Sequence, residues 1–127
     1  MTGFSRAARV GGLIQKVLSE VLHKQIDDPR LALTTITAVK VSADIKLARI
    51  YFTVGGRDPR RTAEATQGFA QARGYIKRLL APELGLRYMP DLRFHYDEAF
   101  DRSARIDELL KSLEDDDGRD HHPPETE

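Results

Sequence analysis

Between positions 95 and 101 the chain sets His95, Asp97, Glu98 and Asp101, the side-chain types that a metal-dependent nuclease or a general acid–base pair would use. On a strand His95 and Asp97 share a face, but no second group of carboxylates or histidines stands elsewhere to complete such a site. The pair His121–His122 lies in an acidic, proline-containing segment with nothing to orient the imidazoles. Neither a catalytic centre nor a metal or cofactor site is therefore expected. The cations offer a different chemistry. Arg57, Arg60 and Arg61 are clustered, as are Arg73, Lys77 and Arg78; Arg87 and Arg93 are expected to share the outward face of the last strand; Arg6, Arg9 and Lys16 border the first apolar stripe. Guanidinium and ammonium groups in such numbers suit phosphate, by charge and by bidentate hydrogen bonding.

The charge distribution strengthens that expectation. The formal charge is zero, with 20 basic and 20 acidic residues, but residues 114–127 hold seven acidic residues and one basic residue. Residues 1–113 are left with 19 basic against 13 acidic residues, a net charge of +6. The acidic end carries no large apolar side chain and is expected to be a disordered tail following one domain over 1–113. The chain has 127 residues, 40% of them hydrophobic, enough for one buried core. There is no cysteine, so disulfides and thiolate metal sites are excluded. With no apolar run near the roughly 20 residues of a membrane span and no secretory leader pattern, a cytoplasmic protein without membrane contact is expected.

The elements that position the cations follow from periodicity. Val10, Leu13, Ile14, Val17, Leu18, Val21 and Leu22 repeat with helical spacing, and Gly11 and Gly12 fall outside that stripe. Asp28-Pro29 stops this helix. "TTITAVKV" and "KLARIYFTV" are strands, joined through "SADI" as an antiparallel hairpin, with Tyr51 facing away from Ala48, Ile50, Phe52 and Val54. Asp58-Pro59 starts a second helix whose inner face runs through Ala65, Phe69, Ala72, Ile76, Leu79 and Leu80, and Pro82 with Gly85 ends it. "LRYMPDLRFHYD" alternates, placing Leu86, Tyr88, Leu92, Phe94 and Tyr96 on one face and Met89 outward, with Pro90 confining the strand to an edge or a bulge. A short closing helix turns Ile106, Leu109, Leu110 and Leu113 inward.

The predicted class is α+β, three strands with helices on one face, in the element order of a type II KH domain, an RNA-binding module. The chain closely resembles the bacterial ribosome-binding factor A family over residues 6 to about 113. The resemblance rests on Arg9-Val10, on "DPRL", on "ARG" where that family has Ala-x-Gly, on "RYMPDLRFHYDEA" and on "IDELL". It implies that Ala72, Arg73 and Gly74 form a kink between two helices, and that the missing first glycine of Gly-x-x-Gly alters the usual single-strand groove. It further implies a monomeric, non-catalytic assembly factor. The implied partners are the small ribosomal subunit, its 16S ribosomal RNA and other assembly factors. The alternative is a general KH adaptor for single-stranded RNA or DNA.

Overall fold

The computed structural model describes the backbone of residues 2–56 and 58–120 and the side chains of residues 6–56 and 58–114. Two compact units divide the chain at Asp97–Glu98. In the first, α1 (Thr2–Leu22) precedes a 3-10 turn (Pro29–Leu31), β1 (Thr34–Val41), β2 (Leu47–Val54), α2 (Pro59–Leu84) and β3 (Asp91–Tyr96). The sheet order is β1-β2-β3, with β1 antiparallel and β3 parallel to the central β2. This is the KH-like α+β order that the sequence predicts.

One face of the sheet is the core. The alternation of β2 buries Ala48, Ile50 and Phe52, which register against Ile36 of β1 and Leu92 and Phe94 of β3. α1 closes this core with Val10, Ile14, Val17, Leu18, Val21 and Leu22, and α2 with Ala65, Phe69, Ile76 and Leu80. The segment "DPRL" fastens the connection after α1. Asp28 accepts from the Arg30 backbone N–H and, at 2.7 Å, from its guanidinium, which also donates to Gln71 Oε1 of α2 at 2.9 Å. These bonds from Arg30 hold the Asp28 carboxyl below the ordinary aspartate range. Leu31 is buried beside Gly68, where an added Cβ would come within 3.1 Å of Leu31 Cδ2. The α2 glycine at 68 thus makes room for the turn, a role that its place in the apolar pattern does not announce.

The hairpin turn contains no glycine. The Ser42 hydroxyl accepts from the Lys46 and Leu47 N–H groups and donates to Asp44, while Ile45 takes φ 59 and packs its side chain on the core. A β-branched residue there is strained by about 1–2 kcal/mol. Burial of its apolar side chain offsets that cost.

Several expectations are corrected. The two helices expected on either side of Ala72, Arg73 and Gly74 are one element, helical from Pro59 to Leu84. It also runs through Pro82, which is exposed in the final turn, and stops at Gly85, whose φ of 61 forms the cap. One lost hydrogen bond near a solvated end costs less than in a buried interior, so Gly85 and not Pro82 sets the boundary. Gly74 is exposed, and a Cβ there would meet only a guanidinium nitrogen of Arg78, at 3.7 Å. Gly74→Ala is therefore expected to stabilise the fold by up to about 1 kcal/mol, read as a raised denaturation midpoint at unchanged slope. A loss of stability would mean that the helix needs glycine's conformational freedom after all.

β3 begins only after Pro90, so Arg87 and Tyr88 lie in the bend before it, where Tyr88 is 77% exposed, and Met89 packs on the core. The strand is an edge of the sheet.

In the second unit, α3 spans Glu98–Asp120. It is longer than expected and includes the first seven residues of the segment expected to be a disordered tail. Ile106, Leu109, Leu110 and Leu113 lie on one stripe as predicted, but each is more than half exposed, not inward-facing. Periodicity fixes which residues share a helix face and is silent on what covers it. Residues 121–127, with His121 and His122, lie outside the described residues.

Candidate nucleic-acid interface

The predicted cations are carried by several elements. Arg60, at the start of α2, lies 3.9 Å from its capping residue Asp58, and Arg61 lies against Gly56; Arg57 lies outside the described residues. Arg78 sits over the Tyr75 ring, 5.9 Å from its centroid, and lines a groove with Lys24 and Glu83. Arg87 stacks on Tyr88 in the bend. Arg6, Arg9 and Lys16 are exposed on α1.

Arg73, Lys77 and Arg93 do converge, and the point of convergence is Asp91. The Arg93 guanidinium donates to Asp91 Oδ2 at 3.1 Å, and Lys77 Nζ lies 3.7 Å from Oδ1. Arg93 first, then Lys77 and Arg73, hold the Asp91 carboxyl below its usual range. This carboxylate gathers cations from α2 and β3 at the β3 edge and neutralises one of them.

The solvent face of the sheet contains what the sequence pattern missed. The register sets Lys40 opposite Arg49 and Arg49 opposite Arg93, so one cation from each strand stands in a single row across the sheet. The next row is Ala38, Tyr51 and His95, the last two with ring centroids 5.6 Å apart. Lys40 Nζ lies 5.9 Å from the Tyr51 centroid. Lys40, Arg49, Arg93 and His95 are exposed and Tyr51 is half-buried. Lys40 and Arg49 drew no attention in the sequence because their adjacency depends on a β-bulge between Ile36 and Ala38 and on the parallel pairing of β3.

The candidate nuclease residues engage other groups. His95 faces Tyr51, and the Asp97 carboxylate accepts a 2.6 Å hydrogen bond from the Thr37 hydroxyl. Asp101 pairs with Arg105 within α3. Among the described residues no three His, Asp or Glu side chains are grouped to hold a metal ion, and no helix is long and apolar enough to cross a membrane.

Comparison with known proteins gives a consistent picture. A family model described as ribosome-binding factor A matches residues 6–110. Ribosome-binding factor A of Desulfatibacillum aliphaticivorans is 45% identical over 113 residues, covering 89% of this chain and 91% of that one. The crystal structure of ribosome-binding factor A from Thermus thermophilus superposes with TM-score 0.62 at 26% identity, over 71% of this chain and 93% of that one. A homology model of the Thermus thermophilus factor, fitted into an electron cryo-microscopy map of its complex with the 30S subunit, gives TM-score 0.60 at 25% identity over 72% and 96%.

Proposed function

The chain belongs to the ribosome-binding factor A family, and from that premise we propose that it binds the free, immature small ribosomal subunit. It contacts the 16S ribosomal RNA there and promotes late maturation and end processing of that RNA without catalysis of its own. The observation that carries this is the family match across residues 6–110. Its support comes from the Thermus thermophilus relative fitted in complex with the 30S subunit and from the net charge of +6 over residues 1–113. A binder that prefers one RNA arrangement shifts the population toward it by its difference in affinity, so no bond need be made or broken. The protein acts as a cytoplasmic monomer, with other assembly factors as further partners, and leaves once the mature arrangement removes its preference.

Co-sedimentation with small subunits across a salt series tests this. Immature subunits are expected to bind at least about 10-fold more tightly than mature ones, with log affinity falling linearly in log salt as phosphate contacts are screened. Equal binding to any free oligonucleotide, with no preference for subunits, points instead to a general single-strand adaptor. Incubation with small-subunit RNA is expected to leave it intact; turnover that disappears in His95→Ala would overturn the non-catalytic assignment.

A further inference from the structure

Like charges placed directly opposite one another on neighbouring strands destabilise a sheet, and Lys40, Arg49 and Arg93 do this twice in one row. The only carboxylate bonded to the row is Asp91, which holds Arg93 and leaves Lys40 and Arg49 opposed, among the ion pairs of the described residues. The like charges of that row work against folding. An anion laid across the row does gain, because its charge cancels the repulsion.

The adjacent row specifies the anion. Arg49 and Tyr51 are two positions apart on one strand, and so are Arg93 and His95. Two residues of strand span about 6.6–6.8 Å, a reach comparable to that between a nucleotide's base and its phosphate. The Tyr51 and His95 rings therefore stand where a base would lie if its phosphate met the cations. The Lys40 ammonium over Tyr51 is on an exposed, flexible stem, and a base that replaces it on the ring leaves it free to meet a phosphate. Paired bases in a duplex present no face for such stacking, whereas unpaired bases do, and stacking on an aromatic ring tolerates any base.

From this juxtaposition we infer that the solvent face of the sheet binds a single-stranded segment of ribosomal RNA, its phosphates on the Lys40–Arg49–Arg93 row and a base on Tyr51 and His95. The inference rests on the subunit-binding function proposed above and names where on the protein, and in which form, the RNA is held. The face is separate from the helix junction at which KH modules hold their strand, so it does not depend on a Gly-x-x-Gly loop.

The test uses the full-length protein, immature small subunits, and a single-stranded RNA oligonucleotide with its duplex as free probes. Lys40→Gln/Arg49→Gln leaves the Arg93–Asp91 pair in place. It is expected to melt no lower than the wild type, to bind subunits about 10-fold more weakly, and to lose about 1.4 units of salt slope, roughly 0.7 for each single-strand phosphate. Tyr51→Leu is expected to weaken binding by about 10-fold through lost stacking, with Tyr51→Phe close to wild type. The single strand is expected to bind more tightly than its duplex, and ultraviolet cross-linking of the subunit complex to join RNA to the Tyr51 or His95 peptide. Folded variants with wild-type affinity and salt slope on subunits overturn this inference and leave subunit binding standing. So does a cross-link from this face to a ribosomal protein. A wild-type protein that ignores subunits altogether overturns both.

Discussion

Phe69→Ala is expected to lower the stability of the first unit by about 3–5 kcal/mol, the range for emptying a buried aromatic site. Phe69 is fully buried on α2, its ring stacked on Phe94 of β3 with centroids 4.6 Å apart and 4.8 Å from Phe52 of β2. Phe52 in turn meets Tyr96 edge-on at 5.9 Å. This one side chain therefore joins α2 to the two strands whose outer faces carry Arg49, Tyr51, Arg93 and His95. For a domain of roughly 100 residues each kcal/mol shifts the melting temperature by about 4–8 °C, so a fall of at least about 12 °C is expected. Phe69→Leu, which keeps most of the volume, should lose less than half as much. A denaturation series showing less than about 1 kcal/mol for the alanine variant would mean that the site collapses around the cavity and that α2 is held chiefly by its other contacts.

The fold was legible wherever one residue's type settles the matter locally. Asp58-Pro59 begins α2 as a cap followed by Pro at the first helical position, with Asp58 accepting from Arg60 N–H at 3.0 Å. The strict alternation of β2 gives its buried face directly. It was less legible where two segments must meet. Tyr88 fits the alternation of β3 but lies before Pro90, where the chain has not yet joined the sheet. Ile106, Leu109, Leu110 and Leu113 share a stripe without a cover that the sequence could name.

The same division governs the candidate site. Charge was visible in the composition, and Arg93 and Tyr51 could be placed on outward faces by parity alone. Which cations are neighbours was not visible. Arg73, Lys77 and Arg93 come together only because Asp91 stands between α2 and β3, and Lys40 joins Arg49 only because the bulge after Ile36 shifts the register by one residue. A strand slipped by one position sends every side chain to the other face. Without the bulge Lys40 would not complete the row.

Gly11→Ala and Gly12→Ala are expected to differ in stability by about 1–3 kcal/mol, although the two residues are adjacent in α1 and equally poor in helix propensity. A Cβ at Gly11 would stand 3.0 Å from the Val39 carbonyl oxygen and 3.4 Å from Val41 Cγ2, while one at Gly12 would meet nothing within 4 Å. The obstacle at Gly11 is strand backbone, which cannot swing aside, so α1 must lift from β1. Alanine at position 12 gains up to about 1 kcal/mol from reduced unfolded-state freedom, and at position 11 the same gain is outweighed by the clash. Urea midpoints of the two variants measure the difference, with propensity cancelling between them. Equal stabilities would mean that α1 and β1 are free to separate by a few tenths of an ångström at no cost. The contact also reaches the proposed RNA face: Val39 and Val41 flank Lys40 on β1, so a helix pushed off these two residues disturbs the strand that carries the first cation of the row. Gly11→Ala is accordingly expected to weaken RNA binding as well as stability, and Gly12→Ala to leave binding unchanged.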